Sequence, residues 1–186
     1  MKIVGIGAHP DDVEIFFYGF LAACKARGDD ISIGVATDGA AGGDNPGVEL
    51  AATRAKETAN ALGALTPPTL LGLPDGGLVD AAGARAAIGA YLRDCKPDLV
   101  VTHAPDDYHP DHRALSHYVT DAVGFTCPIL FAETLMGVGF TPDFYVDITP
   151  FFAAKQAAIM AHDSQEPERF AAASALMNRF RAAQCN

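Results

Sequence analysis

The 186-residue chain reads as an α/β protein, a single-domain, Rossmann-like three-layer fold with a mainly parallel sheet. Two patterns predict it. Short apolar runs suited to strands buried on both faces alternate with longer segments whose apolar residues recur at helical spacing. Strands joined through helices lie parallel, with right-handed crossovers. A third observation sets the domain count: 49% hydrophobic residues over this length supply one substantial core, and no linker or shift in composition marks a second. The expected domain is 1–186.

The elements run in order along the chain. Ile3-Val4-Gly5-Ile6-Gly7 is the first strand, and the apolar residues from Ile15 to Leu21 and Cys24 suit a helix, with Gly28 as its stop. Ile31 to Ala36 is a second strand ending at Thr37-Asp38-Gly39, and Ala40 to Gly47, rich in Gly, Asn, Asp and Pro, is a loop. Val48 to Leu62 is a helix ended by Gly63, and Thr69-Leu70-Leu71 is a short strand before Pro74-Asp75-Gly76-Gly77. A helix over about 81–95 leads to the strand Leu99-Val100-Val101, and another runs from His112 to about Val123. Pro128 to Ala132 and Phe144 to Val146 read as further strands, before helices near Pro150–His162 and Glu166–Ala183. The strand order expected is 3-2-1-4-5. Strands one and four are then neighbours at the point where the chain reverses direction, and ligands bind there in open α/β sheets.

Chemistry-bearing residues follow both of those strands. Ala8-His9-Pro10-Asp11-Asp12 stands where the first strand hands over to its helix, so that His9 and Asp12 can point at one spot while Asp11 points elsewhere. Asp107-Tyr108-His109-Pro110-Asp111-His112 follows the fourth strand. A catalytic zinc takes three N, O or S ligands and leaves a position for water, which His9, Asp12 and one histidine of the second cluster can satisfy. Helix capping and core hydrogen bonding are the rival account, but they leave unexplained why both strand ends carry the same residue types.

Composition removes other classes. A net charge of −10 with a pI near 4.8 argues against nucleic acid as partner. Four cysteines show no C-x-x-C spacing, and three of them lie in apolar contexts where a reduced, buried thiol is expected, so a reducing compartment is expected too. No apolar stretch approaches membrane-spanning length and the N-terminal run is too short for a signal peptide, so a cytoplasmic location is expected.

Together, Ala-His-Pro-Asp-Asp at 8–12 and His-Pro-Asp-His at 109–112, supported by Thr37-Asp38-Gly39, Arg54-x-x-Glu57, Leu62-Gly63, Lys155 and His162-x-Ser164-Gln165, resemble the LmbE-like or PIG-L-like zinc-dependent N-deacetylases. These enzymes act on glycosylphosphatidylinositol, mycothiol and bacillithiol precursors. The resemblance covers nearly the whole chain. It implies zinc, or another divalent ion such as iron, cobalt or manganese, held by His9, Asp12 and His112. It implies Asp11 as the base that takes a proton from water, and His109 as general acid or oxyanion stabiliser, oriented by Asp111. A metal-ligand role for His109 is the rival. Tyr108 stands either at the oxyanion or at the rim. Arg54 and Asp75 are expected at the sugar, although Arg54 and Glu57 could instead form a helix-surface pair. Glu14, His103 and His162 read as core or as support for the ligands.

Two departures from the family stand out. Many members have glycines where this chain has Phe16-Phe17-Tyr18-Gly19, so the first helix should shape its pocket differently. The family also usually continues past Gln184-Cys185, whereas this chain stops at Asn186, which leaves open a trimmed C-terminal segment or a pocket completed in a homo-oligomer. The expected reaction releases acetate from a neutral N-acetylglucosamine-like unit or its conjugate, because the loops Thr37–Gly47 and Pro74–Gly77 carry few large apolar side chains. The rivals are an amidase on another N-acyl or thiol conjugate, an inactive metal-binding domain, and a nucleotide-binding Rossmann domain. The last is suggested by Gly5-x-Gly7 but lacks the third glycine of G-x-G-x-x-G, position ten being proline.

Overall fold

The computed structural model describes residues 1–43 and 45–185; position 44 of the expected loop and the terminal Asn186 lie outside the described residues. Five strands, β1 (Lys2–Gly7), β2 (Asp30–Thr37), β3 (Thr69–Leu73), β4 (Leu99–His103) and β5 (Ile129–Ala132), form one sheet in the order β3-β2-β1-β4-β5. Every pairing is parallel, with Ile3 opposite both Ile31 and Leu99. The helices are α1 (Tyr18–Ala26), α2 (Val48–Leu62), α3 (Ala84–Cys95), α4 (Pro110–Val123), α5 (Phe152–Met160) and α6 (Pro167–Ala182).

The period-two alternation of strand side chains divides the core into two layers. Ile3, Ile31, Ile33 and Val101 face Phe17, Leu21, Leu62 and Ala158 on one side of the sheet. Val4, Ile6 and Val100 face Ile88, Leu92, Leu115 and Val119 on the other. Helices α1, α2 and α5 thus cover one face, and α3 and α4 the other. Gly5 and Gly7 owe their identity to this packing, since a Cβ at Gly5 would stand 2.8 Å from a Leu21 methyl and one at Gly7 2.8 Å from the Cβ of Asp12. Gly7 lets the Asp12 side chain fold back against the strand end.

Four local expectations are corrected. Phe144–Val146 is not a strand: it pairs with no described strand, and its three side chains are exposed. Strand-favouring residue types do not make a strand without a neighbour to bond. Helix α4 starts at Pro110, not His112, because proline suits the first helical position, where no N–H is needed. The first helix opens with a π-helical turn over Val13–Phe17 before α1 proper. Among the cysteines only Cys24 is buried, while Cys95 and Cys127 are half-buried and Cys185 is exposed; all four are unpaired. No described helix is long and apolar enough to cross a membrane.

Candidate metal centre and active site

Both clusters stand at the carboxyl ends of the central neighbours β1 and β4. The turn after β1 is tight: the His9 N–H donates to Asp12 Oδ2 at 2.6 Å, and Asp11 is held at φ +107°, a conformation that costs a non-glycine residue of the order of 1–3 kcal/mol. On the other strand, His109 caps α4, its Nδ1 accepting the Asp111 backbone N–H at 3.3 Å.

The hydrogen bonds around the two buried imidazoles determine where their lone pairs point. His9 Nε2 lies 3.2 Å from both Asp75 Oδ1 and Asp111 Oδ2 and donates there, leaving Nδ1 as the acceptor nitrogen. His112 Nδ1 donates to Asp107 Oδ2 at 2.9 Å, leaving Nε2 free. These two nitrogens and the Asp12 carboxylate form a triangle of groups: the nitrogens stand 3.3 Å apart, and each lies 3.3 Å from a different oxygen of Asp12, His9 Nδ1 from Oδ2 and His112 Nε2 from Oδ1. Donors about 2.0–2.1 Å from a tetrahedral zinc stand about 3.3–3.4 Å apart. Three converging lone-pair groups need a cation between them, and this spacing and donor set fit a divalent metal. Without a metal a proton takes that role. Burial opposes protonation of His9, but Asp111, Asp12 and Asp75 outweigh it and hold the ring well above the usual histidine range. The same contest, with Asp12 and Asp107 winning over burial, lifts His112 to about 9. Asp12 is held well below the carboxylate range, because the charges of His112 and His103 overcome the effect of burial. His103 stacks on His112 at 3.7 Å and reaches Asp12 Oδ2 at 3.1 Å, so it braces two corners of the triangle.

Asp11 points away from the triangle, into the cleft beside it. Burial pushes its pKa up to about 7, against the opposing charge of Arg54. Arg54 is itself buried and donates to Pro10 O at 2.5 Å, Gly39 O at 3.0 Å and Asp11 Oδ2 at 3.2 Å. Most of its donors are therefore engaged by protein, and it clamps the strained turn instead of offering its full guanidinium to a sugar. The alternative helix-surface pair is also not what forms, since Glu57 accepts from Ser164 N at 2.9 Å and from Ser164 Oγ at 2.7 Å.

Asp111 departs from the expected role of orienting His109. Its carboxylate accepts from the Gly76 and Leu78 N–H groups and from His9, because the first turn of α4 faces the loop after β3; only its main-chain N–H serves His109. Asp75 accepts from Ala41 N at 2.9 Å while bonding His9, so it ties two loops to a triangle residue, and it still lines the cleft. Tyr108 stands exposed at the rim, 53% accessible. The ring of His109 faces the cleft edge-on to His9, with centroids 4.7 Å apart, and burial and the neighbouring imidazoles keep it neutral by lowering its pKa. Glu14 and His162 form a buried pair at 2.9 Å behind Asp11.

Several residues of the site escape the sequence reading, Asp107, Leu135 and Phe170 among them. Asp107 fixes the tautomer of His112, and its place five residues before that histidine in an acidic cluster is a signal of the carboxylate–imidazole partnership seen at metal ligands. Leu135 and Phe170 line the cleft from beyond β5, and nothing in their local sequence indicates it.

The class so defined is an α/β domain with a buried His/Asp cluster that could hold a metal at the switch point of its sheet. The chain belongs to the PIG-L family, described as GlcNAc-PI de-N-acetylase, whose profile matches residues 4–123 and so spans both clusters. It is 29% identical over 189 residues to diacetylchitobiose deacetylase of Thermococcus kodakarensis, covering 90% of this chain and 71% of that one. The solved structure of the conserved protein TT1542 from Thermus thermophilus superimposes with a TM-score of 0.87 at 29% identity, covering all of this chain and 90% of that one. The 4-carboxy-2-hydroxymuconate hydratase GalB of Pseudomonas putida KT2440 gives a TM-score of 0.86 at 20% identity over all of this chain and 88% of its own, a likeness of fold alone.

Proposed function

We propose that this protein is a metal-dependent N-deacetylase that releases acetate from an N-acetylated amino sugar of the N-acetylglucosamine type, with zinc as the metal. The observation that carries the reading is the convergence of His9, Asp12 and His112, each within 3.3 Å of the next, with a carboxylate of raised pKa, Asp11, beside it. The family and the diacetylchitobiose deacetylase relative support the substrate class.

His9, Asp12 and His112 would hold the ion, which when bound supplies Lewis acidity and lowers the pKa of water. Asp11, kept in place by Arg54 and tuned to about 7, takes a proton from the attacking water. His109 accepts a main-chain N–H at Nδ1, so its neutral ring carries the proton on Nε2 and can donate to the carbonyl oxygen as that oxygen gains charge. The C–N bond breaks, the amine leaves with the proton that Asp11 took from the water, and acetate remains. Asp75 lines the polar side of the cleft with Ala41, Gly42 and Gly76, and its carboxylate can accept from sugar hydroxyls. The unpaired thiols support a reducing, cytoplasmic setting.

The test is metal analysis of purified protein together with an amine-release assay on N-acetylglucosamine conjugates. About one divalent ion per chain and turnover that a chelator abolishes and zinc restores are expected. Full turnover after complete metal removal, or no amine from any N-acetyl sugar conjugate by metal-loaded protein, overturns the reading.

A further inference from the structure

We propose that the cleft contains a second, apolar subsite beside the metal ligands. The amino-sugar substrate carries an aromatic or aliphatic group that fills it, and Phe16 is its specificity-determining residue. This rests on the N-deacetylase reading and extends it. The cleft has a volume of about 420 Å³ and two unlike walls. Besides the polar side formed by Asp75, Gly76, Ala41 and Gly42, the lining includes a contiguous apolar wall of Ile15, Phe16, Leu135 and Phe170, with Tyr108 and Arg169 beside it.

The wall begins at the chemistry itself. The Phe16 ring meets His103 and His112 edge to face, with centroids 5.5 and 5.9 Å apart. Its position stems from the π-helical turn at Val13–Phe17, since such turns take an extra residue and shift the phase of the helix after them. Phe17 consequently points into the core, 1% exposed, while Phe16 remains half-buried on the cleft. The wall is also packed from behind. Ile15 packs with Ile159 and Ala171 in a small separate core, and Phe16, Leu135 and Phe170 lie against it. The Arg169 guanidinium lies 5.7 Å over the Phe170 ring and extends the flat surface outward. A free N-acetyl sugar has hydroxyls to offer this wall and would leave it wet, whereas an apolar substituent would gain by burial there. The loops Thr37–Gly47 and Pro74–Gly77 contain no hint of it, because the wall comes from other elements.

The group can be an aglycone or an extended acyl chain, and the test separates them. The zinc-loaded protein is assayed with N-acetylglucosamine, its phenyl and octyl glycosides, and N-hexanoylglucosamine, and binding of the amine products glucosamine and phenyl glucosaminide is measured by calorimetry. We expect one apolar-substituted arm to exceed N-acetylglucosamine at least tenfold in kcat/KM. In Phe16→Ala and in Phe170→Ala that ratio should fall about tenfold, with Phe16→Leu retaining most of it and metal content unchanged. The two glycosides winning names an aglycone site, and the hexanoyl substrate winning names an acyl site. If nothing is hydrolysed but phenyl glucosaminide binds at least tenfold tighter than glucosamine, the subsite stands and the deacetylase reading falls. A parent protein indifferent to all apolar groups in both turnover and binding, or a ratio unmoved in both alanine variants, overturns the proposal.

Discussion

On the polar side of the cleft, charge is balanced residue by residue. Asp75 and Asp111 bond His9, Asp107 bonds His112, and Arg54 bonds the Asp11 turn. Along the apolar wall, Ile15, Phe16, Leu135 and Phe170 present carbon. The polar side lies within residues 4–123, which match the family, as do Ile15 and Phe16 of the wall, whereas Leu135, Arg169 and Phe170 lie beyond them. The difference suggests a division of labour. Groups that must hold a cation and move a proton are fixed by mutual hydrogen bonds and tolerate little change, while the apolar wall asks only for shape and can vary with the substrate.

The sharpest way to break that contrast is to open the triangle. His112→Ala removes one donor and leaves Asp107 without its partner. Outer partners of metal ligands cost about 10–100-fold in affinity or activity when lost, so loss of a ligand should cost about a thousandfold or more, with most of the metal gone. Metal content measured beside kcat checks it; a fully loaded, active variant removes His112 from the site. Asp11→Asn should lose about 10²–10⁴-fold in kcat while keeping its metal, since a proton acceptor is lost and not a ligand. Near-parental kcat would reduce Asp11 to a turn residue.

Milder effects test the supports. Asp107→Asn can no longer hold the His112 tautomer by charge, and metal affinity should fall about 10–100-fold with the fold retained, read by competition with a chelator. Arg54→Met leaves the carbonyls of Pro10 and Gly39 without their donor and frees Asp11 from its +107° turn. Here kcat should fall more than KM rises, because the clamp acts on the base. A change in KM alone would instead return Arg54 to the sugar.

The sheet order was legible because each buried strand is short, apolar and followed by a polar loop, and the two clusters were legible because strand ends 1 and 4 meet at the switch point. Asp12 and Asp11 could be told apart because adjacent residues of a turn diverge. What the chain order hides is partnership. The pattern Arg54-x-x-Glu57 suggests a local pair, yet three-dimensional packing gives Arg54 to Pro10, Gly39 and Asp11, and Glu57 to Ser164, 107 residues away. Asp111 likewise sits beside His109 in sequence but spends its carboxylate on His9, 102 residues distant. The false strand at Phe144–Val146 and the unseen apolar wall share one cause: both depend on what lies opposite, which a local pattern does not carry.

The smallest effect on activity, and a direct probe of the contrast, comes from a residue outside the cleft lining. Lys155, on α5 against α6, is 2% exposed, and among the described residues its ammonium has one hydrogen-bond partner, Asn178 Oδ1 at 2.9 Å. Burial lowers its pKa to about 8, with Glu133 opposing only in part; Glu133 is itself engaged by Arg181 Nε at 2.7 Å. Unlike the ions of the cleft, this one is not balanced. Its folded pKa lies below the unfolded value of 10.5, so between pH 8 and 10.5 the unfolded chain holds more protons and stability rises with pH. Below pH 8 the buried charge costs on the order of 3 kcal/mol. Lys155→Met should therefore raise Tm by several degrees at pH 7, flatten the rise in stability between pH 8 and 10, and leave kcat within about twofold, since the residue is absent from the cleft lining. Thermal melts across that range decide it. A lower Tm at every pH would mean that the Asn178 hydrogen bond outweighs the desolvation, and that the C-terminal helices balance their charges as closely as the cleft does.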